Sequence, residues 1–169
     1  QGMAHVKLLS ENATEGLKNN TESIAVCDLY VRRKKGAQAA LKLKDSQAFD
    51  DYKKLLDSAS AKDIDAVWIA TSDNWHAPIA KACMESGKHV YVEKPASVTV
   101  RDGQAMVAAA RANKVAVQVG AQARTAKGGW HTCRAIRNGI VGRVRKVSCW
   151  HYANPVDEKP VPDSEPPEW

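Results

Sequence analysis

Glu93, Lys94 and Pro95 follow one another in the stretch GKHVYVEKP, where the apolar run His89 to Glu93 ends. An acid and a base placed together at the end of a buried strand are suited to moving a proton. A lysine beside a positively charged ring in a partly dry cleft has its ammonium form disfavoured. It can then polarise or deprotonate a hydroxyl as hydride leaves its carbon. The same two charges also fit a surface ion pair, which contributes little stability. Other polar residues stand just after apolar runs: Asp28, then Thr71, Ser72, Asn74 and His76, then Gln122. In an open parallel sheet ligands bind outside the carboxyl ends of the strands, so these residues would line one site.

Each has a specific chemical use and a plainer one. Asp28, at the end of the second expected strand, is placed to accept hydrogen bonds from the adenosine ribose hydroxyls of NAD. A carboxylate there repels a 2′-phosphate and so favours NAD over NADP. It also suits a helix N-cap. Arg32 or Arg33 would instead welcome that phosphate, keeping NADP open, or stack on the adenine. Gly2 fits the third glycine of a GxGxxG turn whose earlier members precede the chain, and equally any helix-start glycine. Thr71 and Asn74 offer a hydroxyl and an amide to the nicotinamide side. His76, two residues before Pro78, is either a cofactor contact or a satisfied or exposed helix-entry histidine.

The elements that must position these residues alternate in the manner of parallel βαβ units. IAVCD (Ile24 to Asp28), AVWIAT (Ala66 to Thr71), HVYVE (His89 to Glu93) and VAVQVG (Val115 to Gly120) read as strands. Their near-continuous apolar character predicts burial on both faces. SQAFDDYKKLLDSA predicts a helix with Phe49, Tyr52, Leu55 and Leu56 on one face and Ser46 as its N-cap. Pro78 to Ser86 predicts a helix stopped by Gly87 in the left-handed C′ position. A third helix is predicted over Val100 to Asn113. The resulting fold class is α/β, a doubly wound parallel sheet with helices on both sides.

After Gly120 the pattern changes. GGWHTCRAIRNGIVG reads as a helix ended by Gly139 and RVRKVSCWHY as a strand, the start of a second, α+β unit. From Ala153 on, five of the seven prolines mark an extended arm. The expected division is residues 1–121 as a dinucleotide-binding domain and 122–169 as the beginning of a substrate or oligomerisation domain. Both ends read as cut: a helix opens the chain where the pattern calls for a first strand, and at the finish a helix and strand of the second unit lead into the proline arm and stop.

Composition narrows the classes. The chain has 169 residues, 44% of them hydrophobic, and a net charge of +6. The basic residues are scattered among acids, and the RRKK cluster at Arg32 to Lys35 lacks the interleaved aromatics of a base-stacking surface, so no nucleic-acid partner is expected. No apolar run approaches the ~20 residues of a membrane span and no charged-then-apolar leader opens the sequence, so no membrane partner is expected. Cys27, Cys83, Cys133 and Cys149 are widely spaced without a CxxC pair, predicting buried free thiols and no metal site.

The stretch DAVWIATSDNWHAPIAKACMESGKHVYVEKP resembles the Gfo/Idh/MocA oxidoreductases, the group of glucose-fructose oxidoreductase and inositol dehydrogenase. The apolar strand, the turn with its histidine, the GKHV segment and the EKP triplet stand in family order and spacing. VQVGAQAR and GIVGRVRKV follow where that family has similar segments. The resemblance implies a Rossmann-like domain in which Lys94 contacts substrate and is catalytic, and Glu93 lies near the nicotinamide ribose. It further implies a cis Lys94–Pro95 bond, and that Thr71 through His76 line the nicotinamide and pyrophosphate side. Gln122 stands where members often have asparagine. Ser72 replaces the usual proline and Asn74 a common histidine. The family's second-domain acid and histidine pair would lie beyond Trp169, and His131 and His151 are not evident replacements.

The resemblance thus implies an NAD-dependent oxidoreductase acting on a CH–OH group of a sugar, polyol or related carbohydrate, and homo-oligomers through the second domain. Two alternatives stand beside it. One is an NAD-dependent glycoside hydrolase working by transient oxidation and elimination, at which WHYANP and the proline arm hint. The other is a non-catalytic nucleotide-binding module. The default compartment is the cytoplasm, with the bacterial periplasm open.

Overall fold

The computed structural model describes residues 2–14 and 21–149. These divide into two compact units, one ending at Gly120 and the other beginning at Ala121.

The first unit is built of parallel strands and intervening helices. Helix α1 (Gly2–Thr14) opens it, followed by strand β1 (Val26–Cys27) and helix α2 (Val31–Ala40). Strand β2 (Ala48–Phe49), helix α3 (Tyr52–Asp57), strand β3 (Ala66–Ile69) and helix α4 (Asp73–Glu85) come next. Strand β4 (His89–Glu93), helix α5 (Val100–Asn113) and strand β5 (Val117–Gly120) complete it. All strand pairs are parallel, in two groups: β1 beside β2, and β3-β4-β5 with β4 central. A doubly wound sheet would carry one more strand between β1 and β3, and none of the described residues supplies it.

Alternation along β4 decides the packing. Val90 and Val92 point to one face and meet Ile69, Ala77, Ala80, Cys83, Met84, Met106 and Ala109, the core made with α4 and α5. Tyr91 points to the opposite face, where its ring lies 4.5 Å from Trp68 and 5.7 Å from His5 of α1. The three-stranded sheet therefore has helices on both sides. Burial on both faces does not extend to every strand: Trp68 is 47% exposed, and Val119 on the edge strand β5 is 42% exposed.

Several local expectations are corrected. The helix expected over Ser46 to Ala59 is broken. A 3-10 turn at Asp45–Gln47 leads into β2, which pairs Ala48 with Val26 and Phe49 with Cys27. The helix proper starts at Tyr52, and its cap is Asp51, whose carboxylate accepts from the Lys53 N–H at 2.8 Å, not Ser46. Pairing with β1 outweighed the helical periodicity of so short a run. Helix α4 begins at Asp73 rather than Pro78. Pro78 therefore lies inside the helix, where its missing N–H forgoes the bond to the Asn74 carbonyl. Gly87 has φ of +75°, and the Lys88 N–H reaches the Cys83 carbonyl at 2.9 Å, which closes α4 as expected. Helix α5 runs over the expected residues, capped by Thr99, which accepts from the Asp102 N–H at 3.1 Å.

In the second unit a 3-10 turn at Gln122–Arg124 precedes helix α6 (Lys127–Arg137), with Gly139 at φ +83° beyond its end. Residues 143–149 form no strand, contrary to expectation, since no described segment pairs with them. The rest of that expected strand and the proline arm lie outside the described residues. No described helix is long and apolar enough to cross a membrane.

The thiols also depart from a uniform reading: Cys83 is buried and Cys27 half-buried, whereas Cys133 and Cys149 are exposed. Burial pushes the Cys27 thiol up to about 11, helped by the carboxylates of Asp51, Asp28 and Asp50. Burial also pushes Cys83 up to about 11, with Cys27 adding to the effect. The folded state thus keeps both protons to higher pH than the unfolded chain does. Stability from this source is intact below the usual thiol range of ~8.5 and is lost as pH rises toward the folded values. Denaturant midpoints are expected to fall between about pH 8 and about pH 11, and less steeply in a C27A/C83A protein. An equal slope in that variant would assign the decline to other groups.

Candidate active site

The carboxyl ends of β3 and β4 lie side by side because Ile69 pairs with Val92 in their ladder. The next residues of each strand must leave the sheet together. Thr71, Ser72 and Asn74 follow β3 and are exposed at the start of α4. Lys94 follows β4, is exposed, and precedes Pro95 across a cis bond.

Glu93 is placed differently from its neighbour. It shares a face with Tyr91, is only 2% exposed, and its Oε1 lies 2.7 Å from His5 Nε2. Its Oε2 accepts from the Lys94 N–H at 3.3 Å. Directly across the ladder from Glu93 is Gly120, whose missing side chain leaves room for the carboxylate. Adjacent residues of one strand point to opposite sides, so the acid goes under α1 while the next residue, after the strand has ended, reaches solvent. Glu93 and Lys94 are therefore not an exposed ion pair.

Helix α1 meets both halves of the site with its first turn. Gly2 lies beside Ala70, where an added Cβ would stand 3.8 Å from the Ala70 carbonyl oxygen, an ordinary contact that leaves space for a methyl. Met3 lines a cleft of about 310 Å³ with Tyr30, Arg32, Arg33 and Gly36. Arg33 and Arg32 are exposed, and the Arg33 guanidinium stands 5.7 Å from the centre of the Tyr30 ring. Asp28, half-buried after β1, accepts from the Tyr30 N–H at 2.8 Å through Oδ1. This is an Asx turn ahead of α2, whose own N-cap is Tyr30, and it uses one of the two carboxylate oxygens.

His76 is turned inward. It is 1% exposed, with Nδ1 2.6 Å from the Pro95 carbonyl oxygen and Nε2 3.1 Å from that of Thr71. The satisfied-histidine reading describes this ring. Gln122 belongs to the second unit, where its carbonyl accepts from the N–H groups of Thr125 and Ala126 at 3.1 Å. Within the first unit the structure thus groups Gly2, Thr71, Ser72, Asn74, Glu93 and Lys94, and separately Asp28, Arg32 and Arg33, with the start of α1 touching both groups. Sequence reading passed over His5, Met3 and Tyr30. His5 carried one usable signal, its place one turn into a helix that starts at a glycine.

Residues 5–121 match the family model described as an oxidoreductase family with an NAD-binding Rossmann fold. The chain belongs to this family. Inositol 2-dehydrogenase of Salmonella typhimurium is 35% identical over 167 residues, covering 96% of this chain and 46% of that enzyme. The chain spans about half the length of the curated relatives it matches along nearly its whole length. A glycosyl hydrolase family 109 protein of Bacteroides fragilis is 38% identical over 94 residues, covering 52% of this chain and 20% of that protein. Among solved structures, the WlbA dehydrogenase of Bordetella pertussis, in complex with NADH and UDP-GlcNAcA, superposes with a TM-score of 0.73. It is 25% identical and covers 84% of this chain and 41% of that one. The family member's α/β class is thus the one its alternating strands and helices predicted.

Proposed function

We propose that this chain carries the dinucleotide half of an NAD-dependent oxidoreductase acting on a CH–OH group of a sugar, polyol or related carbohydrate. The observation that carries the reading is Lys94, exposed at the carboxyl end of the central strand of β3-β4-β5, one residue past a carboxylate sealed beneath α1. A free lysine amine in that place takes the hydroxyl proton as the carbinol carbon gives up its hydride. Bound NAD supplies the hydride acceptor.

The residues present fit that cofactor. The first turn of α1 presents backbone N–H groups with no intrahelical partner, suited to a pyrophosphate. It does so between the two groups of side chains a dinucleotide has to span. Asp28 takes the adenosine ribose and disfavours a 2′-phosphate. Arg33, already against Tyr30, covers the adenine side of the cleft, and Arg32 beside it is the group through which NADP would be tolerated. Thr71, Ser72 and Asn74 offer polar atoms to the nicotinamide side. Glu93 acts from beneath by fixing the start of the Lys94 turn. Gln122 and the residues after it begin the substrate and oligomerisation domain.

A second reading, glycoside cleavage through transient oxidation and elimination, is favoured by the similarity to the family 109 glycosyl hydrolase. The two are separated by incubating the full-length protein with NAD and a panel of inositols and aldoses, and in parallel with aryl glycosides. Absorbance of NADH rising with a free polyol supports the dehydrogenase. Release of the aryl alcohol with no net NADH would overturn it in favour of the hydrolase.

A further inference from the structure

The ladder between β3 and β4 ends at Ile69 and Val92, yet the residues proposed to act lie beyond it, in the turns after each strand. Among the described residues, the ring of His76 links these two turns. Its Nδ1 stands 2.6 Å from the Pro95 carbonyl oxygen, and its Nε2 3.1 Å from the Thr71 carbonyl oxygen. The ring is 1% exposed and sits in the first turns of α4, a helix whose later residues Ala77, Ala80, Cys83 and Met84 are embedded in the core. It is therefore mounted on an element that is packed into the core.

A carbonyl oxygen only accepts, so the short contact to Pro95 requires a proton on Nδ1. The Thr71 carbonyl is served as well when Nε2 is protonated. A ring of the same size without donors would fill the space and leave two backbone oxygens facing carbon.

We propose that His76 is a positioning residue for the reaction. Donating from Nδ1 to the Pro95 carbonyl, it latches the Lys94–Pro95 turn to the end of β3 and sets where the Lys94 side-chain nitrogen stands. It touches neither substrate nor cofactor; it acts through the backbone on either side of Lys94. The inference rests on the reading of Lys94 as the group that handles the substrate proton.

Two measurements on the full-length protein test it. Nitrogen-15 NMR of the imidazole, with the His76 signals assigned by their loss in H76N, should show a protonated Nδ1. An unprotonated Nδ1 would overturn the latch without any variant needing to fold. In steady-state kinetics, H76F should lower kcat by about 10- to 100-fold while the Kd for NAD stays within about twofold, because misplacing a reacting group by about an ångström costs that much. H76N, whose amide N–H can stand where Nδ1 stood, should recover most of the loss. An H76F protein with parental kcat, or an H76N protein as slow as H76F, would show that the donor does not matter. Should Lys94→Ala turn over normally, the reading of Lys94 fails, while the Nδ1 signal still reports on the latch itself.

Discussion

Turnover of the full-length protein is expected to fall by about 10²- to 10⁴-fold when Lys94 is replaced by alanine, the range that general acid–base groups supply. Affinity for NAD should change by less than about threefold, since the proposed dinucleotide contacts are the first turn of α1 and Asp28 rather than this amine. The reasoning is positional. Lys94 is exposed beyond the central strand, while Glu93 beside it is 2% exposed and bonded to His5, so of the two charged residues only the lysine is presented outward. Lys94→Arg separates charge from proton transfer. A guanidinium keeps the positive charge but does not give up its proton, so this variant should be nearly as slow as alanine. The pair of variants is read from kcat against polyol and from NAD titration by fluorescence. Turnover within threefold of the parent for Lys94→Ala would remove this residue from the chemistry.

Gly120→Ala is expected to destabilise the first unit by about 1–3 kcal/mol, the cost of overpacking a filled site. A Cβ at Gly120 would stand 2.6 Å from the Tyr91 hydroxyl oxygen and 3.0 Å from Glu93 Oε1. Neither neighbour yields easily. The Tyr91 ring lies tilted against Trp68, with centroids 4.5 Å apart, and the Glu93 carboxylate is tied to His5. Thermal melting should fall by several degrees for a domain of this size. Tyr91→Phe removes the closest atom, so the G120A/Y91F protein should lose less than the sum of the two single changes. Strict additivity would mean that the Tyr91 hydroxyl is not what the methyl meets. The effect reaches the site as well, because pushing Glu93 disturbs the N–H of Lys94, which donates to it at 3.3 Å.

Much of this arrangement was legible before any coordinates. HVYVE predicted β4 to the residue because its apolar, β-branched run, the acid at its end and the Gly87 stop all agree there. The helix over Val100 to Asn113 was legible because its run is rich in alanine, the best helix former. Strand β2 was not legible. Its two residues lie in a run whose apolar spacing is helical, and their partner is twenty-two residues away in β1. The same limit hid the role of His76. Nothing in TSDNWHAP separates a ring that faces solvent from one that joins two carbonyls nineteen and five residues away.

The sequence by itself determined the kinds and order of the elements and the strand ends at which the polar residues fall, because hydrophobic period and turn chemistry are local properties. It also determined family membership, through the long motif ending at EKP. Tertiary structure alone decided which of those residues face outward. Glu93 went under α1 against His5, His76 went into the core, and Lys94 stayed in the open. Those outcomes depend on strand register and on the helix that covers each face, and so on contacts between residues far apart in the chain.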